Sequence, residues 1–405
     1  MQNWFSENIN FGILISTLLL VLIGLGSIYS ATYDAGASDF FNRQLIWAGI
    51  GLVAMLVVMF VPFRTLQLLS YPLYIFSILM LIAVLIFGKT VAGSKSWFGF
   101  GTFGLQPSEF VKVTCVLALA TYLSDKKINL SRFKNLIVAL LIVLIPVVLI
   151  IRQPDVGTAI IYILMLIPVL YWAGASLTLL LIIISPAAAA VAALFGITPF
   201  LIVLAALLIT FFVLKENKLI SAIIFSITVL VGVSVQFIYG KLAPYQQKRI
   251  DAFLNPEADP LGSGYNVIQS KVAIGSGGVF GKGFLEGSQT QLNFIPAQWT
   301  DFIYCVPAEE FGFVGSILIL ILFAYILFRS INVASTAKSR YASLVTMGVV
   351  SIFTAHILIN IGMVMGIMPV IGVPLPLLSY GGSFLLSTML MVGLLLNMYI
   401  NRKEY

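Results

Sequence analysis

The chain alternates long apolar blocks with short clusters of charged and turn residues. A helix needs about 20 mostly apolar residues to cross a bilayer, and reading each block between its flanking charges predicts twelve spans. They cover residues 10–30, 44–61, 70–88, 107–123, 135–151, 155–173, 177–195, 198–214, 218–239, 301–328, 341–367 and 376–400. The sixth is short, and only a few residues, including Gly196 and Pro199, part the seventh from the eighth. One connection breaks the pattern of short loops. Residues 240–300 are too long for a simple turn, and such a segment is usually functional or disordered. Tyr245, Ile250, Phe253, Tyr265, Phe280 and Phe294 supply anchoring side chains that argue for order. Within it, YNVIQSKVAIG (265–275) predicts a short amphipathic helix lying in the membrane interface.

Composition closes the question of solvent. Of the 405 residues, 60% are hydrophobic and 9% charged, against about 25% charged in soluble domains. So few charges cannot cover a soluble protein of this size, and the fold class is an all-α polytopic membrane protein. The net charge of +7 is then a statement about topology, not about nucleic acid. With the N-terminus inside, twelve bases (among them Arg64, Lys126, Lys127, Arg132, Lys338, Arg340 and Arg402) and four acids fall on the inner side. Ten bases and eleven acids fall elsewhere. The basic excess is cytoplasmic, both termini are inside, and the 240–300 segment is outside. Cys115 and Cys305 lie in apolar runs, so neither a disulfide framework nor a thiolate cage is expected. A single histidine, His356, argues against an imidazole metal centre and against a Ser–His–Asp triad. No Walker loop is present, and the first span reads as a retained anchor without a cleavage site. GSGGVFGKG (275–283) lacks the GKS or GKT ending of a phosphate loop and lies on the side away from ATP.

Ionisable residues in or beside spans are costly and point to function. Glu109 and Lys112 share a helix face at the outer end of span four. Arg152 and Asp155 flank Pro154 at the next outer junction, Arg43 opens span two, and Asp301 opens span ten with Glu309 and Glu310 deeper. Each could instead be a structural ion pair, and paired acids such as Glu309 and Glu310 commonly brace broken helices. Most of them gather at one membrane level, on the side of the long segment. A carboxylate base with cations around a diphosphate leaving group requires only Asp or Glu with Arg or Lys, and that inventory is present.

At NPEADPLGSGY (255–265) and IQSKVAIGSGGVFGKG (268–283) the chain closely resembles the RodA/FtsW/SpoVE (SEDS) family. PVIGVPLPLLSYGGS (369–383) looks like that family's C-terminal signature, and QPSE (106–109), RQPDVGTA (152–159), TDFIY (300–304) and AEEFG (308–312) match in order. The spacing, with no cytokinesis-type insertion, resembles the elongation branch (RodA) more than the division branch (FtsW). Two departures stand out. The family usually has ten spans, so residues 198–239 read as a two-helix addition that preserves parity. Phe384 stands where the signature usually has a small residue.

The resemblance implies a peptidoglycan glycosyltransferase that polymerises lipid II at the outer face of the cytoplasmic membrane. It implies work with a class B penicillin-binding protein in the elongation machinery, with spans ten and eleven as the partner-facing surface. It assigns Asp259 as general base, although Asp-Pro-x-Gly is equally a turn signal. Lys112, Arg43, Arg249, Lys271 and Lys282 are candidates for the diphosphate, with Glu109 positioning Lys112 or contacting the substrate and Asp155 either a second functional carboxylate or a structural one. A divalent cation (Mg or Mn) bridging carboxylate and diphosphate is chemically reasonable, without a dedicated ligand motif. Apolar grooves would take the polyprenyl tail, and Ser379–Ser383 would serve packing or the cavity floor. Two other functions fit twelve spans with internal charge: a flippase for the lipid-linked precursor, and a scaffold that anchors the transpeptidase without catalysis.

Overall fold

The computed structural model describes residues 9–34, 36, 38–91, 93–100, 103–214, 218–242, 247, 250–251, 253–254, 264–296 and 298–403. They divide into two compact units, one built from the stretches before Val169 and after Tyr265, the other from Leu170–Gly264.

In the first unit, α1 (Phe11–Tyr33), α2 (Ser38–Phe60) and α3 (Phe63–Phe87) precede a small antiparallel sheet of β1 (Lys89–Val91), β2 (Ser94–Phe100) and β3 (Phe103–Leu105). Then come α4 (Pro107–Ser124), α5 (Phe133–Ile151) and α6 (Val156–Trp172), the last running on into the second unit. After the break follow α10 (Tyr265–Ser276), the short α11 (Ser288–Gln291) and α12 (Cys305–Glu310), then α13 (Gly312–Thr336), α14 (Arg340–Val364) and α15 (Gly382–Ile400). The second unit holds α7 (Leu177–Leu194), α8 (Ile197–Leu214) and α9 (Lys218–Tyr239). Its core is Ala189, Ala193, Phe200, Leu204 and Val235, with the Ser185 and Thr228 hydroxyls 3.0 Å apart across α7 and α9.

Nine helices among the described residues are long and apolar enough to cross a membrane, and α6 and α8 are apolar but shorter. The lipid-facing helices leave large apolar side chains outside, among them Leu68, Phe76, Phe87, Val53 and Leu22, as a hydrocarbon solvent permits. The two innermost helices, α14 and α15, are buried over most of their length. Polar groups on them find partners inside the protein, many of them backbone carbonyls, because water is not available at that depth. The Asn397 amide donates to the carbonyls of Val58, Met59 and Val61, at and just past the end of α2.

Eleven of the twelve expected spans coincide with single helices to within a few residues, the largest shift being a start at Phe63 rather than residue 70. The tenth does not. It is interrupted at Phe311, so that the spanning helix α13 begins only at Gly312, and Glu309 and Glu310 stand on α12 ahead of it. The sheet at 89–105 is a second difference: its strands are short and rich in Gly, Ser and Phe, without an apolar run to mark them. The helix read over 265–275 is α10.

Candidate functional site

Three helix N-termini meet in the first unit. α4 starts with Pro107 at its first turn, where a missing N–H costs nothing. Asp155 caps α6, its carboxylate accepting the Thr158 N–H at 3.1 Å. α15 starts at Gly382, after Gly381 at φ 155°. Gln106 joins all three: its side-chain amide donates to Asp155 Oδ2 at 3.1 Å, and its backbone N–H donates to Ser383 Oγ at 3.2 Å. The amide dipoles of three N-termini favour negative charge in this region. The Ser94 hydroxyl donates to the Gln153 carbonyl, tying β2 to the same junction.

One turn into α4 lies the ion pair that the i, i+3 spacing predicts. Lys112 Nζ is 2.8 Å from Glu109 Oε2, with side chains 1% and 5% exposed. Ser387 donates to the same Oε2 at 3.0 Å. The ammonium also meets His356 Nε2 at 3.2 Å and lies 5.2 Å from the Phe384 ring centroid. Phe384, the departure from the signature, therefore packs over the cation rather than disturbing the helix. Lys112 is enclosed by its partners instead of facing an open cavity.

The signature segment 366–381 crosses this region without helix, and side chains satisfy its backbone. Gln44 donates to the Ser379 carbonyl at 3.2 Å and accepts the Gly381 N–H at 3.1 Å. Ser379 Oγ donates to the Thr300 carbonyl and accepts the Leu375 N–H, both at 2.7 Å. The Asn360 amide spans the Asp301 and Val373 carbonyls at 2.7 and 2.8 Å.

A second charged cluster holds the long segment down. Glu309 accepts from Lys282 Nζ at 2.7 Å, from the Gln289 and Thr290 N–H groups at 2.9 Å, and from the Thr290 hydroxyl at 2.8 Å. Glu310 accepts from the Ser30 hydroxyl and from the Leu285 N–H at 3.1 Å. Both carboxylates lie ahead of the spanning helix. Burial pushes Glu309 upward, but the Lys282 ammonium and the Gln289 and Thr290 donors outweigh it and hold Glu309 below the ordinary 4.5. Glu310 goes the other way: burial, only partly offset by Ser30 and Leu285 and reinforced by the Glu309 charge, raises it.

The sign follows from linkage. A depressed carboxylate adds stability that is fully present above the unfolded value and is lost as pH falls through the lower folded one. Wild-type protein in detergent is expected to lose part of its thermal stability on acidification below about pH 4.5. Glu309→Gln should lack that component. Parallel melting profiles for the two proteins over this range would exclude the assignment.

The other expected site residues lie apart from these clusters. Arg43 is 3.9 Å from Asp39 on the exposed first turns of α2. Lys271 is exposed on α10, its side chain lying over Gly366. Asp259 and Arg249 fall outside the described residues. His356, Gln106 and Ser387 are not marked by the sequence as site residues, whereas Ser383 is expected in packing or at the cavity floor and here accepts the Gln106 N–H. His356 joins Lys112 across 244 positions, a separation no local pattern reports. Beside the site, a groove of about 370 Å³ lined by Leu73, Phe76, Leu105, Pro107, Phe110 and Leu390 is almost wholly apolar. Both cysteines are free and buried, and no group of three or more His, Cys, Asp or Glu among the described residues could hold a metal.

The fold and its site define a polytopic helical membrane protein with a polar centre built where broken or beginning helices meet. The chain belongs to the FtsW/RodA/SpoVE family of cell cycle proteins, whose family model matches residues 9–203 and 196–404. It is 38% identical to stage V sporulation protein E of Bacillus subtilis strain 168 over 394 residues, 95% of each protein. It is 35% identical to the peptidoglycan glycosyltransferase RodA of Treponema pallidum over 434 residues, 98% of each. Among solved structures it is similar to a chain from a study of polymerisation and crosslinking by a peptidoglycan synthase complex, with TM-score 0.73 and 28% identity. That match covers 98% of this chain and 99% of the other. Thermus thermophilus RodA matches with TM-score 0.65 and 25% identity over 98% of each chain. Relatives named for sporulation and division also match, and the RodA relatives and structures make this chain RodA-like.

Proposed function

We propose that the chain is a peptidoglycan glycosyltransferase that polymerises lipid II during cell elongation. The observation that carries this reading is similarity over nearly the whole chain to proteins that bear that activity in their names. The acceptor sugar's 4-hydroxyl attacks the anomeric carbon of the donor MurNAc. A new C–O bond forms as the bond to polyprenyl diphosphate breaks, configuration passes from α to β, and the hydroxyl proton goes to Asp259. No covalent intermediate on the protein is needed. Arg43, Arg249 and Lys271 are the candidate cations for the diphosphate, Lys282 being held by Glu309, and the converging helix N-termini add fixed positive potential. Lys112, enclosed with Glu109, acts by holding the site's wall, with Asp155 fixing Gln106 beside it. The apolar groove next to Pro107 suits a polyprenyl chain. A divalent cation, were one bound, would be held by Asp259 and would offset negative charge on the diphosphate leaving group, and no step above depends on it.

The charge distribution supports a cytoplasmic membrane protein with both termini inside and residues 240–300 outside, and residues 198–239 stand as a two-helix addition to the family core. The partner in this reading is a class B penicillin-binding protein, which crosslinks the new strand. Purified protein given lipid II, with and without that partner, is expected to yield long glycan. Movement of labelled lipid II across vesicles without polymer would favour a transporter instead, and neither activity with the partner present would favour a scaffold.

A further inference from the structure

His356 is 2% exposed within α14, and the reaction scheme gives it no task. Its two ring nitrogens have partners of opposite kind. Lys112 Nζ, at 3.2 Å from Nε2, carries only donors, so Nε2 must accept. The Pro374 carbonyl, at 3.0 Å from Nδ1, can only accept, so Nδ1 must carry the proton. One neutral tautomer satisfies both contacts and no other does. The ring is held in that orientation by Phe384, 5.2 Å away between centroids, which also lies against the Lys112 ammonium.

Pro374 lies in the middle of the non-helical signature segment. Gln44 and the Ser379 hydroxyl fix that segment towards its end, and Asn360 fixes it at Val373. The histidine supplies the remaining link, from the segment's middle to the Glu109–Lys112 pair on α4.

We propose that His356 is a positioning residue for glycosyl transfer: its Nδ1–H clasps the Pro374 carbonyl while its Nε2 orients the Lys112 ammonium, so that segment 366–381 and helix α4 keep one spacing. This rests on the polymerase reading given above. A misplacement of about 1 Å at a reacting centre can cost about 100-fold in rate, which is the scale at which such a clasp acts.

The sequence contains one histidine, so ¹⁵N-imidazole labelling of full-length protein carrying a histidine-free tag reports on His356 alone. The expected spectrum is that of the Nδ1–H tautomer, with the Nε2 resonance moving in Lys112→Met. An Nε2–H tautomer overturns the proposal without reference to activity. In the lipid II assay with the partner present, His356→Gln reaches Lys112 but not Pro374, and His356→Leu reaches neither. Both are expected to lower kcat by about 10- to 100-fold with KM little changed. His356→Asn, whose amide nitrogen sits where Nδ1 does, keeps Pro374 but loses Lys112 and should lose rate on the same scale. Wild-type kcat in either single-contact variant, or losses that merely follow the folded fraction, would make the histidine a stability brace and overturn the role. If wild-type protein shows the expected tautomer yet makes no glycan with its partner, the polymerase reading fails and the positioning role falls with it.

Discussion

Asp259→Asn is expected to lower the rate of glycan polymerisation by about two to four orders of magnitude, the usual contribution of a positioned general base. The substitution keeps size and removes the ability to take the acceptor proton. It should therefore act on kcat far more than on the affinity for lipid II, and the melting temperature in detergent should stay close to wild type. The measurement is glycan chain formation from purified lipid II, followed over time for both proteins with the partner present. Retention of more than about a tenth of the wild-type rate would remove Asp259 from the base role. Asp155, which already spends its oxygens on Thr158 and Gln106, would then be tested next.

The second large effect belongs to the buried pair. Lys112→Met leaves the Glu109 carboxylate without its cation in a site where both side chains are within 5% of full burial. Removing one partner of such a pair typically costs about 3–5 kcal/mol, because the remaining charge has lost its compensation. Replacing both partners with apolar residues of similar size is often close to neutral. Lys112→Met is thus expected to lower thermal stability sharply, and Glu109→Leu combined with Lys112→Met to recover most of it while remaining inactive. A double-mutant cycle in detergent reads the coupling directly. If the single variant melted with wild type, the pair would contribute nothing to the fold, and a catalytic role for Lys112 would have to rest on substrate contact alone.

The helices were legible because a chain dissolved in lipid marks each crossing with an apolar run, and eleven of the twelve runs became single helices. What the runs did not report was backbone. TDFIYCVPAEEFG reads as the opening of a span, yet the chain turns over 301–304, makes α12, and breaks at Phe311 before Gly312 at φ +63°. The strands over 89–105 are not legible because their apolar residues, Trp97, Phe98, Phe100 and Phe103, are broken by Gly and Ser and form no continuous run. In the site, Glu109 and Lys112 were legible at three residues' separation. Lys282 and Glu309 are legible as charges but not as a pair, being 27 positions apart, and a lone His356 reads only as too little for a metal centre or a triad. Phe384, read as an awkward substitution, is the ring that closes over Lys112 and His356.

The interruption before α13 has a consequence in time. The Lys282 and Gly283 N–H groups donate to the carbonyls of Glu309 and Glu310, while Phe313 and Val314 donate back to Gly278 and Val279. A Cβ on Gly281 would stand 2.0 Å from the Glu310 carbonyl oxygen, so the two stretches lie backbone against backbone. Every partner of the earlier stretch in this exchange is synthesised about thirty residues later. During translation, residues 277–291 must wait without these partners until residues 309–314 have been made. A nascent chain released near residue 300 would reach the bilayer with that stretch still exposed to proteases, and one released after α13 would have it sealed.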